Sequence, residues 1–205
     1  MAKNAIGSSK IRAILVDLVS SIPETSQEAA ADPLVRAREI SRMASAKAAG
    51  LSFGMTSVPG PAGFLTILPD LMGVWALQKQ MVADIAAAYG KSHSLDNRAM
   101  IYCLFRQAAA AAVADVVVRV GGRFLMQRAS KRMIQGVLAQ VGVRLSQQAV
   151  GKGISRLVPL LGPVAMGAYA AWDTQRVAGS AIELFSSNIE EESGRGRRGA
   201  FNSRK

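Results

Sequence analysis

Residues 58–90 read VPGPAGFLTILPDLMGVWALQKQMVADIAAAYG, and this stretch decides the fold. Its opening, Val58-Pro59-Gly60-Pro61-Ala62-Gly63, interrupts any helix that precedes it. Proline fixes φ and has no N–H to donate, and glycine gives up more conformational freedom than any other residue when it is ordered. Beyond that opening, Leu71, Val74, Gln78, Met81, Ile85 and Tyr89 recur at the three-and-four spacing of one helix face. The pattern predicts a long helix that begins near Thr66 or Asp70 and ends at Tyr89-Gly90.

Toward the N-terminus, Asp32-Pro33 is a helix start signal, with an N-cap aspartate and a proline at the first helical position. The helix it opens is predicted to run to about Ala49, with Gly50 as its C-terminal cap. Leu34, Ala37, Ile40 and Ala44 give it an apolar face, and Arg36, Arg38, Arg42 and Lys47 make it basic. Earlier still, Thr25 and Glu28 have capping-box spacing for a short helical turn. Ile11, Ile14, Leu15, Leu18 and Val19 mark an amphipathic helix over residues 10–20 that Pro23 stops.

Toward the C-terminus, Ser94 is read as the N-cap of a helix with Asp96 in its first turn. That helix continues through Ala108–Ala112 to Gly121-Gly122, so the β-branched Val116-Val117-Val118 is read as helical. Residues 123–150 are predicted helical, and residues 151–163 form a second irregular connection through Pro159, Gly162 and Pro163. A last helix is predicted from about Val164 to Ile189.

The sequence therefore predicts an all-α fold, a helical bundle with two Pro/Gly-interrupted apolar helical hairpins. Its parts are an N-terminal amphipathic helix in residues 1–24, a helical domain over 25–192 and a disordered basic tail over 193–205. Val58-Pro59 and Val158-Pro159 echo each other, each leading through glycine and proline to a tryptophan near an aspartate, Asp70 with Trp75 and Trp172 with Asp173. A duplicated half and a convergent hairpin composition both account for this echo.

Composition sets the functional limits. The chain has 205 residues, 50% hydrophobic and 5% aromatic, with a formal charge of +11. So apolar a chain is not a disordered one. A single cysteine, Cys103, excludes an internal disulfide framework, and a single histidine, His93, argues against a histidine-built metal site. No cleavable signal peptide is expected: the run Ile14–Val19 is short and contains Asp17. Residues 48–69 are 22 uncharged positions and residues 157–172 are 16 more. The first is long enough for a membrane span but is broken by Pro59, Pro61 and Pro69. Both stretches fit a buried core, shallow or conditional insertion, or a span.

The charge pattern is uneven. The 57 residues between Asp115 and Asp173 hold no acidic residue but carry Arg119, Arg123, Arg128, Lys131, Arg132, Arg144, Lys152 and Arg156. These eight cations are the candidate lipid or anion contacts; a solvated basic face is the plainer account of them. Each cation near an anionic bilayer contributes on the order of 1 kcal/mol, and an adjacent apolar segment adds a second anchoring signal. Nucleic acid is a weaker alternative, because few aromatics are interleaved with the basic residues. Small residues at four-residue spacing, such as Gly167 with Ala171 and Ala83 with Ala87, fit close helix crossings within the chain or in a homo-oligomer.

Asp70, Asp84, Asp115 and Asp173 interrupt apolar helical stretches and form a candidate internal polar cluster, with Arg98 or Arg106 as cationic partners. Local pairing is the simpler account: Asp115 with Arg119, and Asp173 with Arg176. No catalytic or metal-binding residue is assigned and no cofactor is expected. Gly90-Lys91-Ser92 resembles the end of a phosphate loop but lacks the first glycine, Ile85 standing in its place.

Ser57-Val58-Pro59-Gly60, Leu68-Pro69-Asp70, Gln78-Lys79-Gln80-Met81, Ile85-Ala86 and Tyr89-Gly90 together resemble the central pattern of the bacterial EcsC protein family. Val158-Pro159-Leu160-Leu161-Gly162-Pro163-Val164, Gly167, Trp172-Asp173 and Ala178 resemble its second block. The resemblance covers most of residues 45–190. It implies a helical protein of the bacterial cytoplasm associated with the cytoplasmic membrane, without an established catalytic mechanism. The expected function is therefore non-enzymatic, with anionic lipid met through a basic face and the apolar hairpins, and with a membrane-protein partner or a second copy on the small-residue faces. The alternatives are a membrane-inserting, pore-forming effector and a lipid-binding or enzymatic bundle with a central cavity.

Overall fold

The computed structural model describes residues 21–55, 63–107, 117–120, 123–126, 135–137, 139–140 and 158–191. The expected helix over residues 10–20 and the basic tail over 193–205 lie outside them. The fold is all-α. Its elements are α1 (Pro33–Met55), α2 (Gly63–Ala88), a 3-10 turn (Ser92–Ser94), α3 (Asn97–Phe105) and α4 (Val158–Ser186). A minor patch of four-residue strands accompanies them: β1 (Val117–Val120), β2 (Arg123–Met126) and β3 (Asn188–Glu191). β2 pairs antiparallel with β1, Val117 opposite Met126, and parallel with β3, Arg123 opposite Asn188.

Helix α1 starts where the sequence signals it. The Asp32 carboxylate accepts a hydrogen bond from the Val35 N–H at 3.1 Å, satisfying one of the donors left free at a helix start. Ala37, Ile40 and Ala44 are buried, as their spacing predicts, and Ala48 is buried with them; Leu34, expected beside them, is 40% exposed. The helix does not stop at Gly50 but continues to Met55. Near that glycine α1 crosses α4 closely enough that a Cβ on Gly167 would sit 3.0 Å from the Ala49 carbonyl oxygen. This close packing offsets a glycine's cost inside a helix, about 1 kcal/mol relative to alanine.

Helix α2 runs from Gly63 to Ala88, slightly ahead of the expected start and straight through Pro69. Its second half is buried on nearly every side, with Met81, Val82, Ala83, Ile85, Ala86, Ala87 and Ala88 all in the core. It ends as predicted. Gly90 takes φ +65°, its N–H donates to Ala87 O at 2.7 Å, and the Lys91 N–H donates to Ala86 O at 2.8 Å. That pair of bonds is the Schellman C-cap, which requires a left-handed residue and so favours glycine. The Lys91 ammonium then reaches the C-terminus of the neighbouring α4, donating to the carbonyls of Phe185 and Ser187 at 2.7 Å each. A cation on the last carbonyls of α4 satisfies its free acceptors and its dipole, which fits the helix ending at Ser186 rather than at Ile189.

Helix α3 is capped by Asp96, not Ser94: the Asp96 carboxylate accepts from the N–H groups of Arg98 and Ala99, both at 2.9 Å. Ser94 closes the 3-10 turn instead. All seven residues from Ala99 to Phe105 are buried, so α3 is a core helix surrounded by the others. Trp75 meets Phe105 edge to face, ring centres 6.0 Å apart, and Tyr102 meets Phe124 of β2 in the same way at 5.7 Å. The helical reading of the stretch up to Gly121-Gly122 is corrected over Val117–Val120, and that of residues 123–150 over Arg123–Met126, since both are strands; residues 108–116 lie outside the described residues. β-branched valines suit a strand, and the Gly-Gly pair that follows is a hairpin signal as much as a helix stop.

The second predicted break is also corrected. Pro159, Gly162 and Pro163 lie inside α4, which is helical from Val158 onward. Pro159 falls in the first turn, where its missing N–H has no helical partner to lose, and Pro163 removes a single bond. Of the first break, Pro59, Gly60 and Pro61 lie outside the described residues and Gly63 is the first residue of α2.

Candidate functional site

Three groupings of polar or exposed side chains emerge from this packing. The first is the outer face of α1. With Ala37, Ile40, Ala44 and Ala48 turned inward, the 3.6-residue repeat turns Val35, Arg38, Glu39 and Arg42 outward, with Met43 at their edge; Lys47 and Leu51 lie nearer the buried stripe but are exposed toward the end of the helix. Val35 is 50%, Met43 51% and Leu51 41% exposed, which is high for large apolar side chains. Arg36, by contrast, is engaged: it pairs with Glu39 at 3.0 Å and donates to Gln27 Oε1 at 2.8 and 3.2 Å. Arg38, Arg42 and Lys47 make no ion pair among the described residues. The exposed surface of α1 thus carries three cations outside any ion pair among the described residues, with apolar side chains interspersed.

The second grouping runs along the outer face of α4. Gly167, Ala170, Thr174, Val177, Ala178, Ala181, Leu184 and Phe185 face the core. Tyr169, Trp172 and Arg176 follow the exposed side at i, i+3 and i+7. The Tyr169 and Trp172 rings lie 5.8 Å apart, and the Arg176 guanidinium stacks 4.5 Å over the Trp172 ring. Trp172 is 52% and Tyr169 54% exposed, and Val164 and Met166 extend the apolar surface toward the start of the helix. Partial burial raises the pKa of the Tyr169 hydroxyl, Asp173 adds to the rise and Arg176 opposes it. The α1·α4 crossing at Ala49 and Gly167 places Lys47 and Leu51 on one helix, and Val164, Met166 and Tyr169 on the other, within about a turn of one point.

The third grouping is internal. The Gln78 side chain, 1% exposed, donates to Asp173 Oδ2 at 2.9 Å and to Thr174 Oγ1 at 3.3 Å, tying α2 to α4. Asp84 accepts from Thr25 Oγ1 at 2.6 Å and from Gln80 Nε2 at 3.0 Å. Arg106 pairs with Glu183, and its guanidinium lies 5.2 Å over the Tyr102 ring. Burial works against the Arg106 charge, but the Glu183 and Tyr102 contacts outweigh it and hold its pKa above the ordinary value.

These contacts correct the expected polar cluster. Asp84 and Asp173 are not brought together: Gln78, the partner of Asp173, lies six residues from Asp84, about 240° around α2. Each carboxylate is held by neutral donors. Arg98 pairs with Asp96 at 2.5 Å and Arg106 with Glu183, so neither expected cation joins Asp84. Arg176 does not pair with Asp173; it turns to Trp172 and donates to Gln107 Oε1 at 2.5 Å. Asp115 and the Asp70 side chain lie outside the described residues. The echo of the two tryptophans is not one of environment, since Trp75 is 7% exposed in the core while Trp172 is largely open.

Of the eight expected basic contacts, Arg119 and Arg123 are placed on β1 and β2, opposite Phe124 and Val120 respectively. Arg128, Lys131, Arg132, Arg144, Lys152 and Arg156 lie outside the described residues. Cys103 is fully buried and burial pushes its thiol pKa far up, which leaves it an inert core side chain. His93 is exposed on the 3-10 turn. Among the described residues no helix is long and apolar enough to cross a membrane. Sequence reading missed the α4 stripe, although the spacing of Tyr169, Trp172 and Arg176 was its signal. Compared with known proteins, the chain matches no family model, no curated protein and no solved structure.

Proposed function

We propose that this protein is a non-enzymatic helical bundle that associates peripherally with anionic membrane lipid. The observation that carries the reading is the exposed surface of α1, where Arg38 and Arg42 on the outward face, with Val35 and Met43, and Lys47 and Leu51 toward the helix end stand exposed, the three cations without ion pairs among the described residues. Cations attract anionic headgroups, and long basic side chains lay their stems along apolar surface while keeping their charge in water. Apolar side chains between them enter the boundary below the headgroups. The Tyr169–Trp172–Arg176 stripe fits the same role, because aromatic rings with one polar edge favour that boundary. The resemblance to the bacterial EcsC family belongs to this proposal and rests on the quoted residues alone. It supports a place at the cytoplasmic membrane of a bacterial cell, where a membrane protein or a second copy would be a further partner.

Trp172 supplies the test. In a Trp75→Phe variant it is the sole tryptophan, and its emission is expected to shift to shorter wavelength when anionic vesicles are added and to stay fixed with neutral vesicles. An emission that ignores anionic vesicles, or that responds equally to both, would count against the proposal.

A further inference from the structure

The segment ahead of α1 is not the helical turn that Thr25 and Glu28 suggest. Residues 22–30 have no regular secondary structure, and no residue from 21 to 31 is buried. Instead the segment runs alongside α2 in the same direction, held by polar contacts. Lys79 Nζ donates to Ser21 Oγ at 3.1 Å, Gln80 Nε2 to Glu24 O at 3.0 Å, and Thr25 Oγ1 to Asp84 Oδ1 at 2.6 Å. The Ala30 N–H donates to Ala88 O at 3.0 Å, and Gln27 anchors the segment sideways to Arg36. Between segment and helix lies an open cleft of about 430 Å³, lined in part by Ile22, Thr25, Ala83 and Leu95. Beneath the segment, Lys79 is 8% exposed although it is a lysine.

An element with no buried side chain, tied to the bundle by exchangeable polar bonds, belongs to the low-stability end of a structure and opens before the core does. We propose that residues 21–31 are a releasable strap: they lift from α2 while the bundle stays folded, and lifting breaks the Lys79–Ser21 bond and uncovers the Ser21 side of Lys79. The proposal stands independently of the lipid reading.

The full chain carries its own controls. Lys47 is exposed, and Cys103 is buried at the centre of the core. An amine-reactive acylating reagent and a thiol reagent, followed residue by residue by mass spectrometry, therefore separate strap opening from global unfolding. Lys79 is expected to react more slowly than Lys47 in the natural chain. Thr25→Val removes the hydroxyl on Asp84 and is expected to raise the Lys79 rate about tenfold relative to Lys47, the effect of losing one hydrogen bond to a charged group. Gln27→Ala, which cuts the separate tie to Arg36, is expected to act in the same direction. Cys103 labelling stays unchanged in both. Lys79 rates that match Lys47 in the natural chain, that ignore both substitutions, or that rise only in step with Cys103 would each overturn the strap.

Discussion

Phe105→Ala is expected to destabilise the protein by about 3–5 kcal/mol, the usual cost of emptying a buried phenylalanine site. Phe105 is 2% exposed at the end of α3 and stands edge-on to Trp75 of α2. Its loss removes apolar burial and the ring contact together, and α3 is enclosed by other elements, so the site has little freedom to collapse. A single domain commonly has only about 5–15 kcal/mol of total stability, so the loss is a large part of it. Urea unfolding followed by far-UV circular dichroism measures the change as a lower midpoint at similar slope. A cost below about 1 kcal/mol would mean that α2 and α3 do not share one core at Phe105.

The second large effect concerns lipid. Arg38→Gln, Arg42→Gln and Lys47→Gln combined are expected to weaken binding to anionic vesicles by roughly a hundredfold. Three cations at about 1 kcal/mol each give about 3 kcal/mol, and each 1.4 kcal/mol is a factor of ten. All three side chains are exposed, so the folded state should change little, by about 0.5 kcal/mol or less per site. Vesicle co-sedimentation of the triple variant measures the loss, with thermal unfolding as the control. Undiminished binding in a normally folded triple variant would remove α1 from the contact surface.

What could be read from sequence follows the range of the forces involved. Asp32-Pro33 and Tyr89-Gly90 were legible because helix ends are set by local chemistry: an aspartate within reach of a free N–H, and a glycine able to take positive φ. The inward face of α1 and the buried face of α2 were legible from periodicity. The continuation of α1 past Gly50 was not, because packing between helices overrides local preference there, and neither was that of α4 through Pro163, because prolines this early in a helix cost it little. Gly167 was legible as a close-crossing residue from its spacing to Ala171, but its approach to Ala49 is a tertiary fact that neither segment names alone. Ser94 has the chemistry of a cap, but the 3-10 turn over Ser92–Ser94 takes it up, and Asp96, read as a first-turn residue, caps the helix instead. Val117–Val120 was ambiguous by period, since a short apolar run fits strand or helix.

The candidate site divides in the same way. The basic character of α1 was plain in sequence, but which cations pair among the described residues was not: Arg36 is drawn to Glu39 and Gln27, while Arg38 and Arg42 are left outward. The four aspartates drew attention as charges in apolar helices. For the two whose side chains are described, the distant partners are a glutamine and a threonine, Gln78 for Asp173 and Thr25 for Asp84, and neutral donors leave no charge pattern to read.

The most direct measurement is flotation of the purified full-length protein with neutral and with anionic vesicles, each at low and high salt. The account predicts flotation with anionic vesicles only, strong at low salt and largely released at high salt, because exposed cations are screened within about 10 Å at 0.1 M salt. Equal flotation with neutral vesicles, or none under any condition, would contradict it.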